Sequence, residues 1–406
     1  MMRYYKTLKQ LNLDLIYNIM PTAAGPNTFG EENLVFAYDL GDTANSYRGE
    51  PTENLLNNTT EFDSWTKARN SGTTPTVMSN TSPNPLGVPN APMADTLVIP
   101  DDGTYPRIQQ YFTPSSTNQH TMSVWIRSLS GDCDCFLGIF RNSPWSLPGH
   151  TVVSVTSEWQ KFSFTMTPPD TTTHVAYIGS HDEAAQKGNT LELWGAQIED
   201  KSHATSFTAG TRSATQGLID ITGNYSLDLS NVSFDSNAQM TFDGTDDVLP
   251  IGSSQNFPSQ LPFTLEIWTY VTSLDAGGCM FMYQQNNGTY GGFEFWSNAS
   301  GAIILNSNPT TNLVSTAAGV FTTNSWKHIV CTVDGSTASI YVDGGFDASN
   351  ATGYPDNVNG IIEIGDWASP GYRVNGEIPV TKIYNRALTA SEIKANYNAI
   401  KGRFNI

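Results

Sequence analysis

From Leu34 onward, apolar residues recur mainly at every second position, in short runs cut by glycine, proline, asparagine and aspartate. "TMSVWIRSLSGD" sets Met122, Val124 and Ile126 on one side and Ser123, Trp125 and Arg127 on the other. "WQKFSFTMTPPD" alternates Phe162, Phe164 and Met166 and stops at Pro168-Pro169. Period-two alternation predicts strands with one buried face, because successive side chains on a strand point to opposite sides. "NLVFAYDLGD" reads as an apolar strand closed by Gly41. "HIVCTVDGSTASIYVDGG" predicts a hairpin: strand-forming runs flank Asp334-Gly335, and Asp343-Gly344 ends the return strand. Many short strands with turn signals about every 8–12 residues predict β-sandwiches. One segment has helical period. In "LTASEIKANYNAIK", Thr389 and Glu392 form a capping box and Leu388 and Ile393 a staple. Ile393, Tyr397 and Ile400 share a stripe, as expected of a C-terminal helix closing a sandwich.

Residues 1–33 stand apart. Tyr4, Leu8, Leu11, Leu15 and Ile19 recur at helical spacing, while Leu11, Leu13, Leu15, Tyr17 and Ile19 alternate like a strand. Periodicity does not decide between them. Pro21, Gly25 and Pro26 break what precedes them. So short a segment cannot build its own core, so it is expected to dock on its own body, a sister chain or a foreign surface.

Composition narrows the architecture. At about 100–200 residues per domain, 406 residues imply two or three domains. Only 14% of residues are charged, which disfavours long helices and doubly wound α/β folds. The net charge of −18 offers no broad field for nucleic-acid phosphates or an anionic membrane. Neutral glycans or another protein remain as partners. No apolar run is long enough to predict a membrane span. The N-terminus is basic and then apolar, but Gln10, Asn12, Asp14 and Asn18 interrupt it, so no secretion signal is expected. An outward-facing protein without a signal needs another route, such as assembly into a particle released by lysis. Cys133 and Cys135 are too close to bridge comfortably, and no histidine lies at metal-finger spacing from them. A Cys279–Cys331 bridge stays open, with free thiols the simpler expectation.

"MTFDGTDDVLPIG", "FTLEIWTYV", "NSWKHIVCTVDGSTASIYVDGG", "IIEIGDW" and "VTKIYNRALTASEIKANYN" together resemble the concanavalin A-like (laminin-G-like) jelly-roll superfamily over about residues 214–402. Where that family has an acidic pair before its last strand, this chain has Glu377-Ile378-Pro379-Val380, a departure at the position of any family calcium ligand there. "ENLLNNTTEFDSWTK", "RIQQYF", "MSVWIRS", "VTSEWQKFSFTM" and "LELWGAQIEDKSHATSFTAG" resemble carbohydrate-binding-module jelly rolls over about residues 51–212. The "WGAQIE…ATSF" ending is similar to that of phage virion proteins. In laminin-G-like phage proteins, segments resembling Leu34–Tyr47 and Gly217–Leu229 run together; here about 170 residues intervene. The resemblance therefore implies that one sandwich is inserted in the other.

Catalysis is not expected. Retaining glycosidases need two carboxyls about 5–5.5 Å apart, and the nearest approach, Glu363-Ile364-Gly365-Asp366-Trp367, has glycine where an acid would sit. Glu192, Glu199, Glu266 and Glu294 read as isolated acids on half-buried strands. No nucleophile elbow, phosphate loop or HExxH motif is present. Binding is better supplied, because sugars stack their CH faces on exposed aromatics. Trp125 and Arg127 share a strand face, and Trp145 sits in "RNSPWSLPG". Tyr283 and Tyr290 flank a glycine-rich turn, and "DWASPGYR" adds Trp367 and Tyr372. Each is read equally as a glycan contact or as a loop anchor. Trp159 and Trp194 read as core. Asp243, Asp246 and Asp247 cluster the oxygens that calcium favours, against a plain Asp-Gly turn; no cofactor is required.

The expected fold is all-β: two jelly-roll β-sandwiches, a short N-terminal docking segment and one C-terminal helix. The domains are residues 1–33 for docking, 34–50 plus 213–406 for a discontinuous concanavalin A-like sandwich, and 51–212 for the carbohydrate-binding-module-like sandwich. The expected function is a non-enzymatic bacteriophage virion surface protein, a fibre, decoration or appendage subunit acting as a multivalent glycan adhesin. Its partners are other virion proteins through residues 1–33, sister subunits in a homo-oligomer such as a trimer, and glycans, with no nucleic acid and no membrane insertion. Its rivals are a secreted bacterial carbohydrate-binding protein, a structural virion spacer and a concanavalin-like glycan hydrolase.

Overall fold

The computed structural model describes residues 33–87, 91–252, 262–274, 278–285, 292–307, 311–351, 360–366 and 372–406. The N-terminal docking segment falls almost wholly outside them. The chain divides into two compact units. Of the described residues, one unit takes those within Pro51–Ser213 with Ser236–Ala238; the other takes 33–50 and those within Ala214–Asp235 and Gln239–Ile406. Both are antiparallel β-sandwiches of the jelly-roll type.

The Pro51–Ser213 unit packs two five-stranded sheets. One runs Gln160–Met166, His120–Ser128, Thr190–Glu199, Ala94–Val98, Thr76–Ser82; the other runs Thr66–Ala68, Arg107–Phe112, His174–Gly179, Cys133–Arg141, Ser146–Val155. Alternation decides what meets between them. Met122, Val124, Ile126, Leu191 and Leu193 of the first sheet share a core with Cys135, Leu137, Ile139, Ala176 and Ile178 of the second. Thr52–Glu53 pairs with Thr211–Arg212, so the unit's two ends meet.

The "WGAQIE…ATSF" run explains itself here. After Glu199 the chain folds back over the outer side of the first sheet. Phe207 packs on Trp194 at 4.6 Å. The backbone N–H of Thr208 donates to Gln197 Oε1 (2.8 Å). Glu199, fully buried, accepts from the Thr205 N–H (2.9 Å), the Thr205 hydroxyl (2.6 Å) and the Thr52 hydroxyl (2.8 Å). A buried carboxylate persists only with such donors, so the motif is a structural closure.

The other unit packs an eight-stranded sheet on a six-stranded one. The first runs Ser233–Phe234, Met240–Asp243, Asn375–Tyr384, Phe263–Val271, Trp326–Val333, Thr337–Val342, Gly345–Ala351. Leu34–Asp39 also pairs antiparallel with Asn375–Tyr384. The second runs Leu249–Ile251, Gly360–Ile364, Cys279–Gln285, Gly292–Ser297, Ile303–Ser307, Thr311–Ser315. Tyr47 bridges Leu218, and Gly217 C=O accepts from the N–H groups of Arg48 and Gly49. The two flanks of the Pro51–Ser213 unit are thus joined within this sandwich. Asp343 and Gly344, both with positive φ (52° and 73°), make a two-residue turn that opens a further strand, Gly345–Ala351, where the sequence reading stopped.

The helix Ala390–Ile400 starts on the expected capping box. Its Ile393 packs with Leu388, Val330 and Tyr384 on the outer side of the eight-stranded sheet. Beneath it lies a polar knot. Glu266 and His328, both fully buried, meet at 3.1 Å, and Asn396 of the helix donates to Glu266 at 2.9 Å. Burial opposes ionisation of Glu266, but hydrogen bonds from His328 and Asn396 and the nearby charge of Lys382 outweigh it, holding the carboxyl at about 2. Glu199 and Glu266 are therefore not the half-buried strand acids that the sequence suggested. Trp159 is not core either: it is partly exposed, with the Arg127 guanidinium over its ring. Cys331 is a buried free thiol, which removes the Cys279–Cys331 bridge. Among the described residues no helix is long and apolar enough to cross a membrane.

Candidate functional site

The outward face of the sheet that contains Cys133–Arg141 is built from rings. Cys135, Leu137 and Ile139 point inward, so Phe136, Gly138 and Phe140 point outward. Gly138 lets the two phenyl rings lean together: a Cβ there would lie 2.5 Å from Phe136 and 3.3 Å from Phe140. Their centroids are 6.3 Å apart. Tyr177 and Val175 of the adjacent strand complete this apolar layer.

Three further rings lie on it. Trp145, in the turn between Cys133–Arg141 and Ser146–Val155, stacks on Phe140 (4.8 Å, 20°) yet stays 59% exposed. His181 stacks on Phe136 (4.7 Å, 19°) and, more distantly, on Phe140 (6.3 Å, 21°). His150, opposite Gly138 in register, stacks on Phe136 (5.4 Å, 17°). Arg107 lies over Tyr177 at 5.2 Å and donates from Nε to Gln109 Oε1 at 2.7 Å. Such a face can bind a partner that presents flat apolar surfaces with hydroxyls between them.

The structure separates the sequence-derived residues. Trp145 is the exposed ring. Trp125 and Arg127 do share an outward face, on the other sheet of the same unit. Trp125 is half-buried, and Arg127 is engaged by Glu192 and the Trp159 ring. In the other unit Tyr372 meets Trp296 edge to face at 6.2 Å. Tyr290, Trp367 and the side chain of Tyr283 lie outside the described residues. Sequence reading missed Phe140, His150 and His181. Phe140 carried a signal, since a strand apolar on both faces must be covered on both; His150 sits on the exposed side of its strand and His181 arrives from a distant loop.

Asp243, Asp246 and Asp247 do converge, with a carboxylate oxygen of each within 4.8 Å of the others. Asp243 accepts from the N–H groups of Thr245 (2.7 Å) and Asp246 (3.2 Å), and Asp247 accepts from Asp243 N–H (2.7 Å) and the Ser233 hydroxyl (3.2 Å). Burial pushes the Asp243 carboxyl up, but these backbone donors outweigh it and bring it below the usual range; burial raises Asp247. Arg373 reaches the Thr245 carbonyl. The geometry is that of an Asx turn in which Asp243 Oδ1 and both Asp247 oxygens hold donors.

Glu294, which the sequence left isolated, and Glu363, its nearest approach to a paired acid, fall in one row. Both are opposite Met282, on the strands flanking Cys279–Gln285. Their neighbours Phe293, Phe295, Ile362 and Ile364 are core, so the two acids share the outward face. Two strand spacings set their Cα atoms about 10 Å apart. Burial, then the charge of Asp366, raises the Glu363 carboxyl.

Residues 243–394 match the family described as the Concanavalin A-like lectin/glucanases superfamily. The discontinuous unit carries a concanavalin A-like jelly roll. No curated protein matches the sequence. Among solved structures, the binding domain of Paraclostridial Mosquitocidal Protein 1 is 16% identical, covering 45% of this chain and 49% of that one (TM-score 0.38). Domain 4 of an extracellular arabinanase from Geobacillus stearothermophilus, in complex with arabinotriose, is 16% identical over 46% of this chain and 93% of its own (TM-score 0.34). The botulinum neurotoxin serotype D binding domain is 15% identical over 45% and 49% (TM-score 0.34). The chain spans about half the length of the two toxin domains. At these TM-scores the likenesses say nothing of a ligand.

Proposed function

We propose that the chain is a non-enzymatic glycan-binding protein of a bacteriophage virion surface: a fibre, decoration or appendage subunit whose N-terminal 33 residues attach it to virion partners or sister chains. The observation that carries the binding half is Trp145, a large ring left 59% exposed although an apolar layer lies directly beneath it. The virion half rests on the resemblance of the "WGAQIE…ATSF" closure to phage virion proteins. Repeated copies on a particle turn weak contacts into firm adhesion. Calcium is not needed for this role. Glycan arrays probed with wild type and Trp145→Ala test the binding half; equal signals from both, or none from wild type, refute it. Deleting residues 1–33 should leave both sandwiches folded and abolish incorporation into particles; retained incorporation refutes the attachment.

A second reading, glycan hydrolysis, is favoured by the Glu294–Glu363 row and the raised Glu363 carboxyl. Inverting glycosidases hold their carboxyls about 6.5–9.5 Å apart, a range open to side chains on these strands. Reducing-sugar release that vanishes in Glu363→Gln and Glu294→Gln would establish it over the first reading; no release from wild type would exclude it.

A further inference from the structure

We infer that the ligand of the aromatic face is a linear, neutral polysaccharide chain, bound along the row Trp145, His181 and His150, rather than a single terminal sugar. The inference rests on the glycan reading above and names its ligand class.

The first argument is continuity. Trp145 contacts Phe140, Phe140 and Phe136 both contact His181, and Phe136 contacts His150, with every ring within about 20° of its neighbour in these four contacts. The chain is a strip, not a pocket. The second is length. Ser146 and His150 are four residues apart on their strand, and about 3.3 Å per strand residue gives about 13 Å, with Trp145 one residue further in the turn, enough for a run of sugars. The third is chemistry. Imidazole offers both a flat face and ring nitrogens that can exchange hydrogen bonds with hydroxyls, so alternating apolar faces and hydroxyls find both kinds of contact.

Charge selects neutrality. Arg107, a cation on this face, is already held over Tyr177 and against Gln109, and Lys187 of the His181 loop is held by Asp182. The net charge of −18 opposes an anionic polymer. The position of His181 is also built. Its backbone N–H donates to Gln186 Oε1 at 2.6 Å, and Lys187 ties the same loop together by reaching Asp182 (2.6 Å) and the Gly103 carbonyl (2.7 Å).

The test is calorimetric titration of the full chain with cello-, xylo- and malto-oligosaccharides of one to six sugars. One series should bind with affinity rising about tenfold from one sugar to three or four (about 1.4 kcal/mol) and then levelling. His150→Ala, an exposed position, and His181→Ala should lower affinity for the longer members several-fold and leave the shortest unchanged. Circular dichroism reports whether His181→Ala is folded, and His150→Ala carries the test if it is not. If Trp145→Ala leaves binding intact, the glycan reading at this face fails. If Trp145→Ala abolishes binding but affinity is independent of chain length and of both histidines, the linear platform fails and a single-sugar site stands. If no series binds, both fail.

Discussion

Replacing Glu266 with glutamine should remove an acid-sensitive lock between the eight-stranded sheet and the C-terminal helix. In the native fold the carboxylate holds His328 at 3.1 Å and Asn396 at 2.9 Å with all three side chains buried. Its carboxyl stands at about 2 against an ordinary 4.5, which corresponds to roughly 3 kcal/mol of stability linked to ionisation. A depressed carboxyl contributes fully above its unfolded value and loses the contribution as pH falls through its folded value. The helix should therefore loosen between about pH 4.5 and pH 2. Glutamine fits the space but cannot accept both donors, and breaking a buried charged contact costs about 3–5 kcal/mol. Hydrogen-exchange mass spectrometry on peptides spanning Phe263–Val271 and Ala390–Ile400, corrected for intrinsic rate at each pH, reads this directly. Wild type should lose protection as pH falls below 4.5, and Glu266→Gln should start low and stay level. Parallel pH profiles for the two proteins would refute the reasoning.

Gly365→Ala should destabilise the concanavalin A-like unit by about 1–3 kcal/mol, since Gly365 has φ +90° and a Cβ would meet the Phe242 ring at 2.3 Å; an unchanged thermal midpoint would contradict this packing. Thr389→Ala should cost about 1 kcal/mol by removing the hydroxyl that accepts from Glu392 N–H, seen as faster exchange in the first helical turn. Millimolar calcium, or its removal with EDTA, should leave the thermal midpoint unchanged, because Asp243 Oδ1 and both Asp247 oxygens already hold donors; a clear rise would place a cation there.

What the sequence disclosed depends on how local each feature is. The alternation of Met122, Val124 and Ile126, the Thr389–Glu392 cap and the turn at Asp334-Gly335 need only near neighbours, and all three stand in the structure. The strand Gly345–Ala351 escaped because it is an exposed edge without an apolar face to mark it. Glu266 and His328 looked unrelated because they are 62 residues apart and become a pair only through strand register. The platform followed the same rule. Trp145 announced itself as a tryptophan in a proline-bounded loop. Phe140 was hidden in a strand apolar on both faces, and His181 joined the face through the fold of its loop.

The central claim is that the ring-built face holds a glycan. Quantitative binding of wild type and Trp145→Ala to a broad glycan array tests it most directly. Because Trp145 is exposed, the substitution should leave the fold intact. Wild type should bind at least one neutral glycan, and the variant should lose most of that signal. Equal binding by the two, or none by wild type, would contradict the account.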